Sequence, residues 1–287
     1  MIMPSDDIRR KYEAESVAGK KVQKTVEDAQ SYLRGHLQKG FDELLNEKII
    51  EIEEIPQVLS DRFNAVCNLF LPHFGKADFL ALKYQAYYKW GSILIYLLSA
   101  ISVIAVSAQA LFSSLPHHVI LIEILAISSI IFIIKYGNSI GWHRRWLDYR
   151  LLAERFRFAV FMALVGEKAS TKFSGSAIYN TMETDHWVFS CFSNVWSQWD
   201  EMSNVMIDDR DVLLIIKKFI SLAWLDDQKR YHLKNIRKHL KLHRKYSVLG
   251  ETLFILTLIA AVFHYLGVGG HEGEPLLAFL AISFPWV

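Results

Sequence analysis

GSILIYLLSAISVIAVSAQALF, Gly91 to Phe112, is the stretch whose reading decides the fold. It carries no charge and is apolar on nearly every face, unlike the one-sided stripe of a helix lying on a soluble core. A bilayer core about 30 Å thick takes about 20 helical residues to cross, and this run is long enough. SSLPHH follows, with Pro116 as a helix breaker. The next run, VILIEILAISSIIFII (Val119 to Ile134), contains one acid, Glu123. So short a connection makes the two runs an antiparallel hairpin.

Two more apolar runs lie near the C-terminus. VLGETLFILTLIAAVFHYLGV (Val248 to Val268) is a full span with Glu251 near its start, and after GGHEGEP comes LLAFLAISFPWV (Leu276 to Val287). At 1.5 Å per residue this last run reaches about 18 Å, short of the core thickness, so a shortened or truncated final span is expected. The reading is an all-α integral membrane protein with two transmembrane hairpins and a helical cytosolic domain. Its parts are an N-terminal helical region (1–74), a first hairpin with a stalk helix (75–165, spans 91–112 and 119–136), a second helical region (166–228), and a basic helix leading into the second hairpin (229–287, spans 248–268 and 276–287).

Orientation follows from lysine and arginine in the flanks. The turns SSLPHH and GGHEGEP contain neither. Lys83 and Lys89 precede the first span; Lys135, Arg144 and Arg145 follow the second. QKRYHLKNIRKHLKLHRKY, Gln228 to Tyr246, precedes the third and holds no acid. The turns are therefore expected outside and the rest in the cytosol. The N-terminus lacks the apolar core of a signal peptide, which agrees, and the expected location is the inner membrane with a cytosolic N-terminus. The averages, 52% hydrophobic residues and a mean hydropathy of +0.18, conceal this separation of charge from grease. The net charge of +2 suggests no nucleic-acid partner, and two distant cysteines, Cys67 and Cys191, indicate neither a disulfide framework nor a zinc motif.

Past the second span lies GWHRRWLDYRLLAERFR, Gly141 to Arg157. Trp142, Trp146, Tyr149, Ala153, Phe156, Val160 and Ala163 recur at helical steps. Arg144, Arg145, Asp148, Arg150, Glu154, Arg155 and Arg157 fall off that stripe. Arg150–Glu154 and Glu154–Arg157 have ion-pair spacing. The expectation is a stalk helix that continues the second span after a flex at Gly141, with tryptophans at headgroup level. Trp142, Trp146, Tyr149, Arg150, Glu154 and Arg157 are its candidate coupling residues.

This segment resembles the post-membrane helix of the SLATT family, the SMODS- and SLOG-associated two-transmembrane effector domains of bacteria. WLDDQKRYH (Trp224 to His232), with LGETLFILTLIAAV after it, is similar to the second membrane module of larger SLOG-linked members, and ADFLALKYQAYYKW (Ala77 to Trp90) adds a weaker match. Residues 1–74 are too few and too helical to be expected to form the SLOG-type sensor domain of those members. The resemblance implies a membrane effector of a prokaryotic conflict or antiviral system. Such a protein would assemble as a homo-oligomer and perforate the membrane when a separate sensor protein or a nucleotide messenger signals.

In the remainder, Val22, Val26, Ala29 and Leu33 suggest an amphipathic helix within Lys21 to Ile55, and Pro56 ends that segment. Glu47, Glu51, Glu53 and Glu54 read as a solvated face, or as an acidic patch for the basic helices. Lys168 to Asp185 reads as a loop, and HWVFSCFSNVWSQWDEM (His186 to Met202) as an aromatic helix packed under the stalk. Asp208 or Asp209 can N-cap a helix with Val212, Ile215, Ile216, Phe219, Ile220 and Ala223 on its apolar face.

Few constellations carry chemistry. Gln109, Glu123 and His264 fall at similar depth in the outer half of the spans. They form a polar cluster that is a hydrogen-bonded network, a pore lining or ion site, or, for Glu123, an acid reaching the interface. Ser99, Ser102, Ala105 and Ala108 let helices approach closely, within the hairpin or between subunits. Lys229, Arg230, Lys234, Arg237, Lys238, Lys241, Arg244 and Lys245 are candidate contacts for anionic lipid headgroups; RNA or a nucleotide messenger fits the charge equally, but the adjacent span favours lipid. His239 and His243 have zinc spacing without a carboxylate to complete a set. No catalytic residue, metal or cofactor is expected, because no triad, GxGxxG or Walker loop occurs. A membrane anchor or signalling adaptor, or a housekeeping ion channel, fits the same segments.

Overall fold

The computed structural model describes residues 10, 12, 19–111, 119–165, 185–202 and 209–265. Among these every regular element is helical and there is no strand. In chain order the helices are α1 (Gly19–Asn46), α2 (Gln57–Leu111), α3 (Val119–Ile140), α4 (Trp142–Val165), α5 (Asp185–Met202), α6 (Arg210–Ile220), a π-helical turn (Ser221–Leu225) and α7 (Asp226–Tyr265). The chain forms two compact units, 1–86 with 141–231, and 87–140 with 232–287.

The first unit is a helical bundle built by amphipathic stripes. On α1 the apolar positions continue the three- and four-residue spacing to Leu37, Phe41 and Leu44, all buried. The helix ends where Lys48 takes a left-handed φ of 53° and the Ile49 amide donates to the Leu44 carbonyl at 3.0 Å. Pro56 stands just before α2, and its carbonyl accepts from the amides of Leu59 and Ser60. The buried face of α2 carries Leu59, Phe63, Val66, Phe70, Ala77, Leu80 and Tyr84. A Cβ at Gly40 would lie 3.3 Å from the Phe219 amide nitrogen, so α1 and α6 approach closely there. A 2.8 Å Lys218–Glu43 ion pair spans the same contact.

Asp209 caps α6, its carboxylate accepting from the amides of Asp211 and Val212. Val212, Ile215, Ile216, Phe219 and Ala223 are buried and Ile220 half-buried, the face the spacing predicts. In the π-helical turn the Asp226 amide reaches the Ser221 carbonyl. Trp224 stacks there on Phe161 at 5.2 Å and 9°. The aromatic helix α5 buries Trp187, Trp196 and Trp199, and Phe192 packs on Phe156 of α4, as expected for a helix beneath the stalk. Glu47, Glu51, Glu53 and Glu54 are exposed.

Helix α2 is continuous from Gln57 through Pro72, so a boundary drawn at residue 74 falls inside it. The flex at Gly141 is present. Its φ of 72° separates α3 from α4, and its carbonyl accepts the Arg145 amide to start the new helix. Gly141→Ala puts a Cβ in a left-handed conformation and is expected to cost about 1–2 kcal/mol. The check is a lower thermal midpoint in detergent, with Ser139→Ala as a control that leaves it in place.

In the second unit, the end of α2 and α3 are apolar and open. Among the described residues Ala105, Ser107 and Ala126 are buried, so small side chains supply the close contacts. Ser102 and Ala108 are half-buried, whereas Ser99 is exposed and donates to the Ile95 carbonyl. Two stretches, Gln57–Ala108 and Ile120–Val165, each carry an 18-residue window of mean hydropathy 2.1, with only 17% and 6% of those windows buried. By length and composition each can cross a membrane. Both polar turns and the final apolar run lie outside the described residues.

Candidate functional site

The strongest concentration of buried polar groups lies on α4, just after Gly141. Arg145 and Asp148 are 5% and 4% exposed. Both lie off the apolar stripe read from the sequence, and both are nevertheless in the core. The buried face of α4 runs through Arg145, Asp148, Tyr149, Leu152, Ala153, Phe156, Ala159, Val160 and Ala163. Trp142 and Trp146 stand at the edge of that face and are half-buried. Charges enter a core only where hydrogen-bond partners await them, and the neighbouring helices provide these.

Tyr84 of α2 accepts a hydrogen bond from Arg145 Nη1 at 2.5 Å. Asp148 Oδ2 accepts from Trp187 Nε1 of α5 at 3.3 Å and lies 4.0 Å from Arg144 Nε. Tyr149 stands among the rings of Tyr12, Tyr84 and Trp187 at 5.6–6.0 Å between centroids. The Lys76 ammonium sits 4.5 Å from the Tyr12 ring centre, a cation–π geometry. Burial, with Cys191 adding to it, pushes the Tyr12 phenol well above its usual range, so it stays protonated. Four segments, the one bearing Tyr12 and helices α2, α4 and α5, thus meet in one aromatic and charged knot.

A second layer holds the outer edge of α4. Arg150 bonds Asp78 of α2 at 3.1 Å and also pairs with Glu154. Glu154 pairs with Arg157 at 3.3 Å, so both ion pairs expected from spacing form. The Arg157 guanidinium lies 5.6 Å from the Phe74 ring centre. At the far end Arg62 donates through Nε and Nη2 to the Ala163 carbonyl at 3.0 and 2.8 Å, satisfying a helix-end acceptor.

His73 stacks on Phe156 at 5.3 Å. Burial first, and then Lys76, lower its pKa below the ordinary 6.5. The unfolded chain therefore takes up this proton before the folded one does. The contribution of neutral His73 is complete above about pH 6.5 and is lost as pH falls from there toward the lowered folded value. Urea midpoints between pH 7.5 and 5 should fall, and His73→Leu should flatten that part of the profile. Cys67 is buried and free, its thiol pushed up to about 12 by burial with Arg34 opposing, which makes it a poor nucleophile.

The other candidate residues are placed as follows. Trp142, Trp146, Tyr149, Arg150, Glu154 and Arg157 all lie on α4. Glu123 is half-buried on α3, while the side chains of Gln109 and His264 lie outside the described residues. The eight basic residues from Lys229 to Lys245 line α7 and are exposed, as are His239 and His243. Among the described residues no three potential metal ligands come together. Sequence reasoning missed Tyr12, Tyr84, Asp148 and Trp187 as partners. The available signal was the 145, 148, 152, 159 spacing, which widens the buried face beyond Tyr149, Ala153, Phe156, Val160 and Ala163.

Chemically, the knot is a connector. It fixes the first turns of α4 by directional bonds that a simple apolar seam would lack. No family model matches this chain, and no curated protein or solved structure matches it either.

Proposed function

We propose that the protein is an oligomeric membrane effector of the inner membrane that perturbs the bilayer when its cytosolic bundle receives a signal. The observation that carries this reading is the change along a single helix. Helix α2 has one face buried as far as Tyr84 and then presents Leu94, Leu97, Ile101 and Ile104 openly, and α3 presents Ile120, Leu121, Ile131 and Ile134 openly. Open apolar surface of this extent marks a membrane or a protein interface, and the lysine and arginine bias supports a bundle inside the cell. The resemblance of α4 and of Trp224–His232 to SLATT effectors supports the same role. A sensor protein or nucleotide messenger acting on the bundle would shift α4, and the knot would carry that shift to Gly141 and α3.

The test is leakage. Protein reconstituted into anionic liposomes should release a trapped dye, and induced expression should depolarise bacteria. Glu123→Leu should insert normally and leak less. Fully inserted protein that neither leaks nor depolarises, with or without the cytosolic signal, would sink the effector reading. It would favour an anchor that recruits another protein.

A further inference from the structure

The geometry points to an interaction surface on α7: its basic segment docks on the acidic edge at 47–54 of a second copy of this chain. The inference rests on the membrane insertion proposed above and names how the copies would join.

From Lys229 to Lys245 the helix holds eight lysines and arginines and no acid, and all but Asn235 are exposed. Leu233, Ile236 and Leu240, at 45%, 55% and 65% exposure, form an apolar stripe among the charges. Lipid accounts for only part of this surface. With the apolar run from Val248 crossing the bilayer, Lys234 stands about 21 Å along the helix axis from its start. The headgroup layer is about 5–8 Å deep, and screening ends an exposed attraction within about 8 Å. Lys241, Arg244 and Lys245 lie within that reach. Lys234 and Arg237 do not, and an open stripe of leucine and isoleucine beside them gains nothing from solvent.

The complementary surface is in the same sequence. Residues 42–61 contain seven acids and one base. Glu47, Glu51, Glu53 and Glu54 are exposed, and Ile49 and Val58 beside them are 47% and 57% exposed. The two surfaces match in both charge sign and apolar content, and neither is covered in the single chain. A contact of this kind is heterologous, basic segment to acidic edge, so it repeats from copy to copy and closes into a ring or runs on as a filament.

The test uses full-length chains in native membranes, lacking native thiols through Cys67→Ala and Cys191→Ser. One tagged copy carries Glu53→Cys and a differently tagged copy carries Lys238→Cys. A short bis-maleimide should join the two tags. Charge reversal at the acidic edge (Glu51→Lys, Glu53→Lys, Glu54→Lys) or at the basic segment (Lys234→Glu, Arg237→Glu, Lys238→Glu) should each lower glutaraldehyde-trapped oligomer at least tenfold. Co-expressing the two reversed chains should restore it. These positions are exposed, and unchanged melting of each variant shows that folding is intact. No cross-link between tags, no recovery on co-expression, or a loss of vesicle binding without loss of oligomer would overturn the proposal, the last in favour of lipid. A cross-linked assembly that does not leak keeps this contact and removes the effector reading instead.

Discussion

Asp148→Ala is expected to lower the stability of the helical bundle by about 3–5 kcal/mol, the range for breaking a buried charge arrangement by removing one partner. The carboxylate is buried, receives the Trp187 indole N–H and faces the Arg144 guanidinium. Alanine removes the anion from a site that keeps two arginines, and takes the acceptor from a buried donor. Asp148→Asn retains an acceptor for Trp187 and should cost less. Urea unfolding in mild detergent, followed by tryptophan fluorescence, measures both. Equal midpoints for wild type and alanine would mean that water fills and satisfies the site. The double change Arg144→Met with Asp148→Leu should cost less than the sum of its parts, because it removes opposed charges together.

Ile101→Arg combined with Ile127→Arg is expected to abolish stable membrane integration. Both isoleucines are more than 40% exposed and lie near the middles of the two apolar runs. A central arginine costs about 2.5–3.5 kcal/mol on insertion scales, so the pair costs about 5–7 kcal/mol. The sign of the result separates two solvents. In lipid the double variant should wash out of membranes in alkaline carbonate while wild type stays. If those helices faced water, arginine would be neutral or would improve solubility. Carbonate-resistant double variant, or wild type that washes out, would remove the bilayer from the account.

Much of the helical layout was legible because it rests on periodicity and breakers. The runs 91–112 and 119–134, the stripe of α1, the cap at Asp209, the break at Gly141 and the ion pairs of Glu154 all follow from local spacing. The heart of the candidate site was not legible. Arg145 and Asp148 fell off the apolar stripe because one-dimensional spacing ranks a position by its own polarity. Their burial is decided by Tyr84, 61 residues away, and Trp187, 39 residues away. The wider apolar face through Leu152 and Ala159 was present in the sequence, but the two tryptophans at 142 and 146 drew the stripe toward themselves. Continuity of α2 through Pro72 was also hidden, because that ring lies on the exposed side of the helix, where the missing amide hydrogen bond is replaced by solvent.

The π-helical turn at Ser221–Leu225 has a consequence for tolerance to length change. Its wider loop of hydrogen bonding accommodates one more residue than an α-helical turn would. Deleting Leu222 would place Asp226 four residues after Ser221, so the segment would rewind as ordinary α-helix with later side chains keeping their directions around the axis. Trp224 would keep its flat stack on Phe161. A lost codon that would turn the rest of a regular helix by about 100° is absorbed at this place.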